Sequence, residues 1–161
     1  MVAREIESAA EVSPPDRFAL RELLTQWNRN VERADMDGLR GLSGPGVCLS
    51  FEGRQFAGTD ALDDFVATFG CTAEVTRRIH INHLQAWHEP HGVRARSFAM
   101  VVELVAATSP FGVGAAAPAW LGYSEDRFGE VDGRTVVLSR DFHRWGGDVL
   151  SGFSAARRAA A

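Results

Sequence analysis

The chain has 161 residues, of which 45 % are apolar and 24 % charged, with a formal net charge of -4. That length predicts one globular domain with a substantial core. Scattered arginines on an acidic chain argue against the concentrated cationic surface that nucleic acid needs, and no apolar run reaches the length that spans a bilayer.

The opening MVAREIESAAEV lacks a signal peptide's apolar segment, so a cytoplasmic protein is expected. Residues 1–12 read as a flexible arm, 13–153 as a single domain and 154–161 as a flexible tail. The stretch SPPDRFALRELLTQWNRNVERAD predicts the first helix, with Ser13 as its cap, Pro14 and Pro15 in the first turn and Asp16 at the capping-box position. Ala19, Leu23, Trp27, Val31 and Ala34 recur at steps of three or four, and Leu20 and Leu24 widen that apolar stripe. DMDGLRGL predicts a short second helix, SGPG a turn, and VCLSFEGRQFAG a hairpin around Glu52 and Gly53. Thr59 caps DALDDFVATF, a third helix with Ala61, Leu62, Phe65, Val66 and Phe69 on its apolar face. Cys48 and Cys71 match no metal or redox spacing and are expected to be small apolar fillers.

After Cys71 the period changes to two, and strands are predicted over roughly 76–88, 92–107, 119–129 and 134–145. Helices followed by long antiparallel strands predict an α+β fold, with the helices on one face of a curved sheet. A sheet curled round a helix leaves a cone to be filled by side chains or by a ligand.

Four of the five histidines, His80, His83, His88 and His91, lie in TRRIHINHLQAWHEPH. Side chains alternate along a strand, so His80 and His83 diverge, and no metal site is expected. His80 shares a face with Arg78 and Asn82, opposite Ile79 and Ile81. A polar face in mid-sheet suggests a lined cavity, with His80 as either a pocket acid–base or a hydrogen-bonded interior histidine.

TQWNRNVERADMDGL resembles the first-helix signature of the nuclear transport factor 2-like superfamily, in its SnoaL-like branch. FEGRQFAGTDALDDFVATF, RRIHINHLQAWHEPHGVRARSFAMV, GYSEDRF and VVLSRDFHRW follow in that branch's order over residues 13 to about 153. The resemblance implies a cone-shaped α+β barrel, a homodimer through the sheet and no cofactor. Members include dehydratases, polyketide cyclases, isomerases, small subunits of ring-hydroxylating dioxygenases and proteins with no known activity. It places the branch's helix aromatic at Trp27, its acid at Glu32, its helix-end acid at Asp35 and its strand histidine at His80, or at Arg78 after a short slip. Asp126 and Arg140 match an acid and an arginine of the last two strands. Trp27 replaces the usual tyrosine and Glu32 the usual aspartate; Tyr123, the only tyrosine, could supply a phenol from the opposite wall.

The expected function is a lyase or isomerase, a dehydratase or cyclase acting on an apolar oxygenated small molecule such as a polyketide, terpenoid or steroid. His80, Glu32 and Asp35 would be catalytic, and Trp27, Asn82, Tyr123, Asp126 and Arg140 would line the substrate. Each has a plainer role: Asp35 could end the first helix, and Asp126 with Arg140 could form a cross-strand ion pair. The alternatives are a non-catalytic binding or dimerisation module and a dioxygenase small subunit.

Overall fold

The computed structural model describes residues 9–69, 71–72, 74–106 and 114–145. Three helices, α1 (Pro14–Arg33), α2 (Met36–Leu42) and α3 (Ala61–Phe69), pack against a sheet of β1 (Ser43–Phe51), β2 (Arg54–Phe56), β3 (Val75–Glu89), β4 (Gly92–Val105), β5 (Ala115–Val131) and β6 (Arg134–Arg144). The strand order is β2-β1-β6-β5-β4-β3. Only the β1–β6 pairing is parallel among these. The expected α+β architecture is the one observed.

The sequence of α1 sets both of its ends. Ser13 Oγ accepts from Asp16 N at 3.4 Å and donates to the Asp16 carboxylate at 2.6 Å. Ala34 takes a left-handed conformation, φ 52°, and its N–H closes the last turn on the carbonyls of Asn30 and Val31. Between the caps, Leu20, Leu24, Trp27 and Val31 are buried. Within the sheet α1 packs chiefly against β3, and Ala86, Ala95, Ser97 and Ala99 are buried on the sheet's inner side.

Two expectations need correcting. SGPG is not a free turn: Ser43 pairs with Val137 and Cys48 with Ser139, and the register shift between them absorbs the segment, with Gly46 at φ 70°. Part of the arm expected to be flexible is docked. Val12 N donates to Ala86 O and His88 N to Ala10 O, both at 2.9 Å, and Val12 is buried. Residues 1–8 and the 154–161 tail lie outside the described residues.

β3 is an edge strand, and an edge presents peptide groups that must find partners or water. Cys71 Sγ accepts from Arg77 N and donates to Arg77 O, at 3.5 and 3.6 Å. Two residues on, Glu32 Oε1 accepts from Ile79 N at 3.1 Å and Asn28 Nδ2 donates to Ile79 O at 3.3 Å. A bulge between Asn82 and Gln85, with His83 at φ 50°, resets the alternation before residues 10–12 take over at Ala86 and His88. The edge is thus covered by a thiol, by two helix side chains four residues apart and by a short added strand.

Candidate functional site

The interior of the curved sheet holds a polar centre inside an aromatic shell. Asp126 on β5 and Arg140 on β6 are direct cross-strand partners, so both side chains leave the same face. Arg140 Nε donates to Asp126 Oδ1 at 2.7 Å, and neither residue is exposed to solvent. Ser124 Oγ donates to Asp126 Oδ2 at 2.9 Å and lies 2.9 Å from Ser97 Oγ. On the other side Arg140 Nη1 donates to Asn28 Oδ1 at 2.6 Å, joining the centre to α1.

Aromatic rings close round it. The guanidinium carbon of Arg140 sits 4.6 Å from the Trp27 ring centroid and 4.9 Å from that of Phe142. Phe51, Phe65 and Trp120 extend the shell, with Trp27–Phe65 at 5.7 Å, Phe51–Trp120 at 5.8 Å and Trp120–Phe142 at 6.0 Å. Two buried donors have no partner among the described residues, Arg140 Nη2 and Trp120 Nε1. A buried donor left unpaired costs about 1–3 kcal/mol, so each marks a place where an acceptor oxygen would be welcome.

The residues picked from the sequence separate into three groups. Asp126, Arg140 and Trp27 meet in the interior, with the Trp27 indole N–H donating to Ser43 Oγ at 3.0 Å. Glu32 and Asp35 serve the backbone: Glu32 receives the Ile79 amide, and Asp35 caps α2 by accepting from Gly38 N at 2.9 Å. His80, Asn82 and Tyr123 lie on the outer face of the sheet. His80 is exposed, and Arg78 and Asn82 share its outward side, where Asn82 Oδ1 accepts from His83 N. Tyr123 stacks on His143 at 4.8 Å, beneath Arg96.

The expected dyad of His80 with Glu32 is therefore not formed. The three polar residues do share a face, as the alternation predicted, but Ile79 claims the interior, burying all but 6 % of its surface. Apolar surface gains most from the dry side, so the polar face turns to water. Among the described residues no three His, Cys, Asp or Glu side chains gather as a metal set, and no helix is long and apolar enough to cross a membrane.

Sequence reasoning missed Asn28, Ser97, Ser124 and Trp120. One signal was present: Asn28 falls four residues after Leu24 and eight after Leu20, on the line those buried leucines define.

No protein-family model matches the chain, and no curated protein matches it. Solved structures do. Aln2 from a Streptomyces species superposes with a TM-score of 0.68 at 17 % identity, covering 93 % of this chain and 99 % of that one. A candidate scytalone dehydratase from Novosphingobium aromaticivorans gives 0.63 at 13 % identity, over 82 % and 85 % of the two chains. A candidate dehydratase of the nuclear transport factor 2-like family from Streptomyces avermitilis gives 0.69 at 10 % identity, over 84 % of this chain and 100 % of that one. Helices, strand order and these superpositions agree: the chain has the nuclear transport factor 2-like fold.

Proposed function

We propose that the chain binds an uncharged, apolar, oxygenated small molecule inside the cone and moves a proton on it, by elimination, isomerisation or ring closure. Asp126 and Arg140 take the roles first expected of His80 and Glu32. One observation carries this reading: Arg140 Nη2 is a buried, unpartnered donor beside the only buried carboxylate among the described residues. Arg140 receives the substrate oxygen on which negative charge develops, and Asp126 exchanges the proton. The charges of Asp126 and Arg140 already cancel, so a neutral carbonyl fits where a carboxylate would add an unbalanced charge to an aromatic interior. The likeness to candidate dehydratases supports the same reaction class. A ligand enters by displacing aromatic rings that now fill the hollow.

That filling favours a second reading, a non-catalytic module, because Trp27 is fully enclosed and its indole is already engaged by Ser43. The experiment is turnover of a panel of aromatic polyketide-type and steroidal β-hydroxyketones. The enzyme reading expects a substrate whose turnover falls by about 10²–10⁴ in Asp126→Asn and is untouched in His80→Ala. Loss of activity in His80→Ala with a normal melting temperature would reject the assignment, and no turnover across the panel would favour the module. We also propose that a second copy of the chain covers the part of the outer sheet face where Phe98 and the exposed Trp145 stack at 5.0 Å beside Met100, away from the β3–β4 turn.

A further inference from the structure

A concavity of about 910 Å³ lies on the outer side of the sheet near the β3–β4 turn. Its wall is a row of cross-strand partners, Trp87 on β3, Arg94 on β4 and Arg127 on β5, with Arg96 two residues along. Two like charges directly opposite each other in a sheet are destabilising, so the Arg94–Arg127 pairing needs an explanation.

The protein's own carboxylates answer it only in part. Glu125 serves two of the arginines: it accepts from Arg94 Nη2 at 3.2 Å and from Arg96 Nε at 3.1 Å. Burial pushes the Glu125 carboxyl upward, but the hydrogen bonds and charges of Arg96 and Arg94 outweigh it and hold the group below the ordinary glutamate value. Glu125 is thereby an anion already committed. Among the described residues Arg127 has only Glu89, at 3.8 Å and without a hydrogen bond, and its side chain is 63 % exposed. Among the described residues, three guanidiniums against two carboxylates leave one positive charge, beside an indole and inside a volume of ligand size.

We propose that this concavity binds a planar aromatic monocarboxylate, its carboxylate received by Arg127 and Arg94 and its ring laid on Trp87. Guanidinium forks match carboxylates bidentately, and a flat ring on an indole adds apolar contact. The proposal is independent of the cone, whose polar centre is charge-balanced and suits a neutral ligand. One extra charge predicts a preference for monoanions.

The test is calorimetric titration of the full chain with 2-naphthoate, and with 2-naphthamide as its uncharged counterpart, at low and at physiological salt. The expected result is binding of 2-naphthoate at least about tenfold tighter than the amide, weakened by salt. Arg127→Gln should lose about tenfold in affinity, and Arg127→Lys should fall between, keeping the charge without the fork. Without ligand, Arg127→Gln should melt at or above the wild-type temperature, because it relieves the opposed charges. Equal affinity for acid and amide, or an Arg127→Gln chain that binds as well as the wild type, would overturn the proposal. A lowered melting temperature in that variant would refute the premise of unrelieved repulsion.

Discussion

Replacing Asp126 by Val would leave the Arg140 guanidinium in the interior with its charge uncancelled. In the wild type its Nε meets Asp126 at 2.7 Å and its Nη1 meets Asn28 at 2.6 Å, while Nη2 is already unpartnered. The substitution therefore leaves two of three donor positions empty, and Ser124 loses its acceptor as well. Removing one member of a buried pair costs about 3–5 kcal/mol. The faces of Trp27 and Phe142 and the retained Asn28 bond place this case toward the lower end. At about 2–4 °C per kcal/mol for a domain of this size, the melting temperature should fall by roughly 6–12 °C. Arg140→Met should cost a similar amount, whereas the double variant should recover most of the loss, because a well-packed apolar replacement of such a pair is often neutral or better. Urea unfolding of the four proteins gives the coupling directly. If Asp126→Val costs under about 1 kcal/mol, or if the two losses simply add, the pair is not a desolvated unit and the account of the cone centre fails. A stable but inactive double variant would show the pair kept for use rather than for folding.

Glu32→Ala should leave the Ile79 amide without its acceptor and destabilise the chain by about 1–3 kcal/mol, with faster hydrogen exchange at Ile79. Glu32→Gln keeps an acceptor oxygen and should stay close to wild type; unchanged exchange in the alanine variant would refute the edge-covering role. If a second copy covers the outer face, light scattering should give a dimer mass, and Met100→Glu should yield a folded monomer. A wild-type monomer at micromolar concentration would count against that interface.

Local chemistry made much of the fold legible. The Ser13 cap of α1, its buried Leu20, Leu24, Trp27 and Val31 and the four long strands depend on neighbours a few residues away and stand close to where the pattern placed them. Ala19 and Ala34 of the expected stripe are exposed, however, Asp35 caps α2 rather than ending α1, and β5 begins earlier, at Ala115. SGPG misled because a glycine-proline run signals a turn on its own, and only its parallel partner β6, far along the chain, turns it into a bulged strand entry. The site was half legible for a related reason. Alternation correctly grouped Arg78, His80 and Asn82, but it does not say which of two faces is the wet one; Ile79 and its helix contacts decide that. Asp126 and Arg140 could be named and their cross-strand ion pair weighed, but choosing that reading depends on the β5–β6 register, which no local pattern supplies. Asn28 and Ser124 are ordinary residues whose significance comes from the charges they touch.

The grip of α1 on Ile79 has a consequence for how the helix can sit. Asn28 and Glu32 take the carbonyl and the amide of a single residue, and only alternate residues of β3 offer such outward groups. The neighbouring peptides face β4, so a slide of one position would meet nothing free to bind. The helix can dock only in jumps of two residues, about 6.8 Å, and one jump is blocked by the Cys71 thiol at Arg77. Helix placement in this chain is therefore a discrete choice, which disfavours gradual sliding of α1 as a way to open the interior and leaves ring rotation as the cheaper motion.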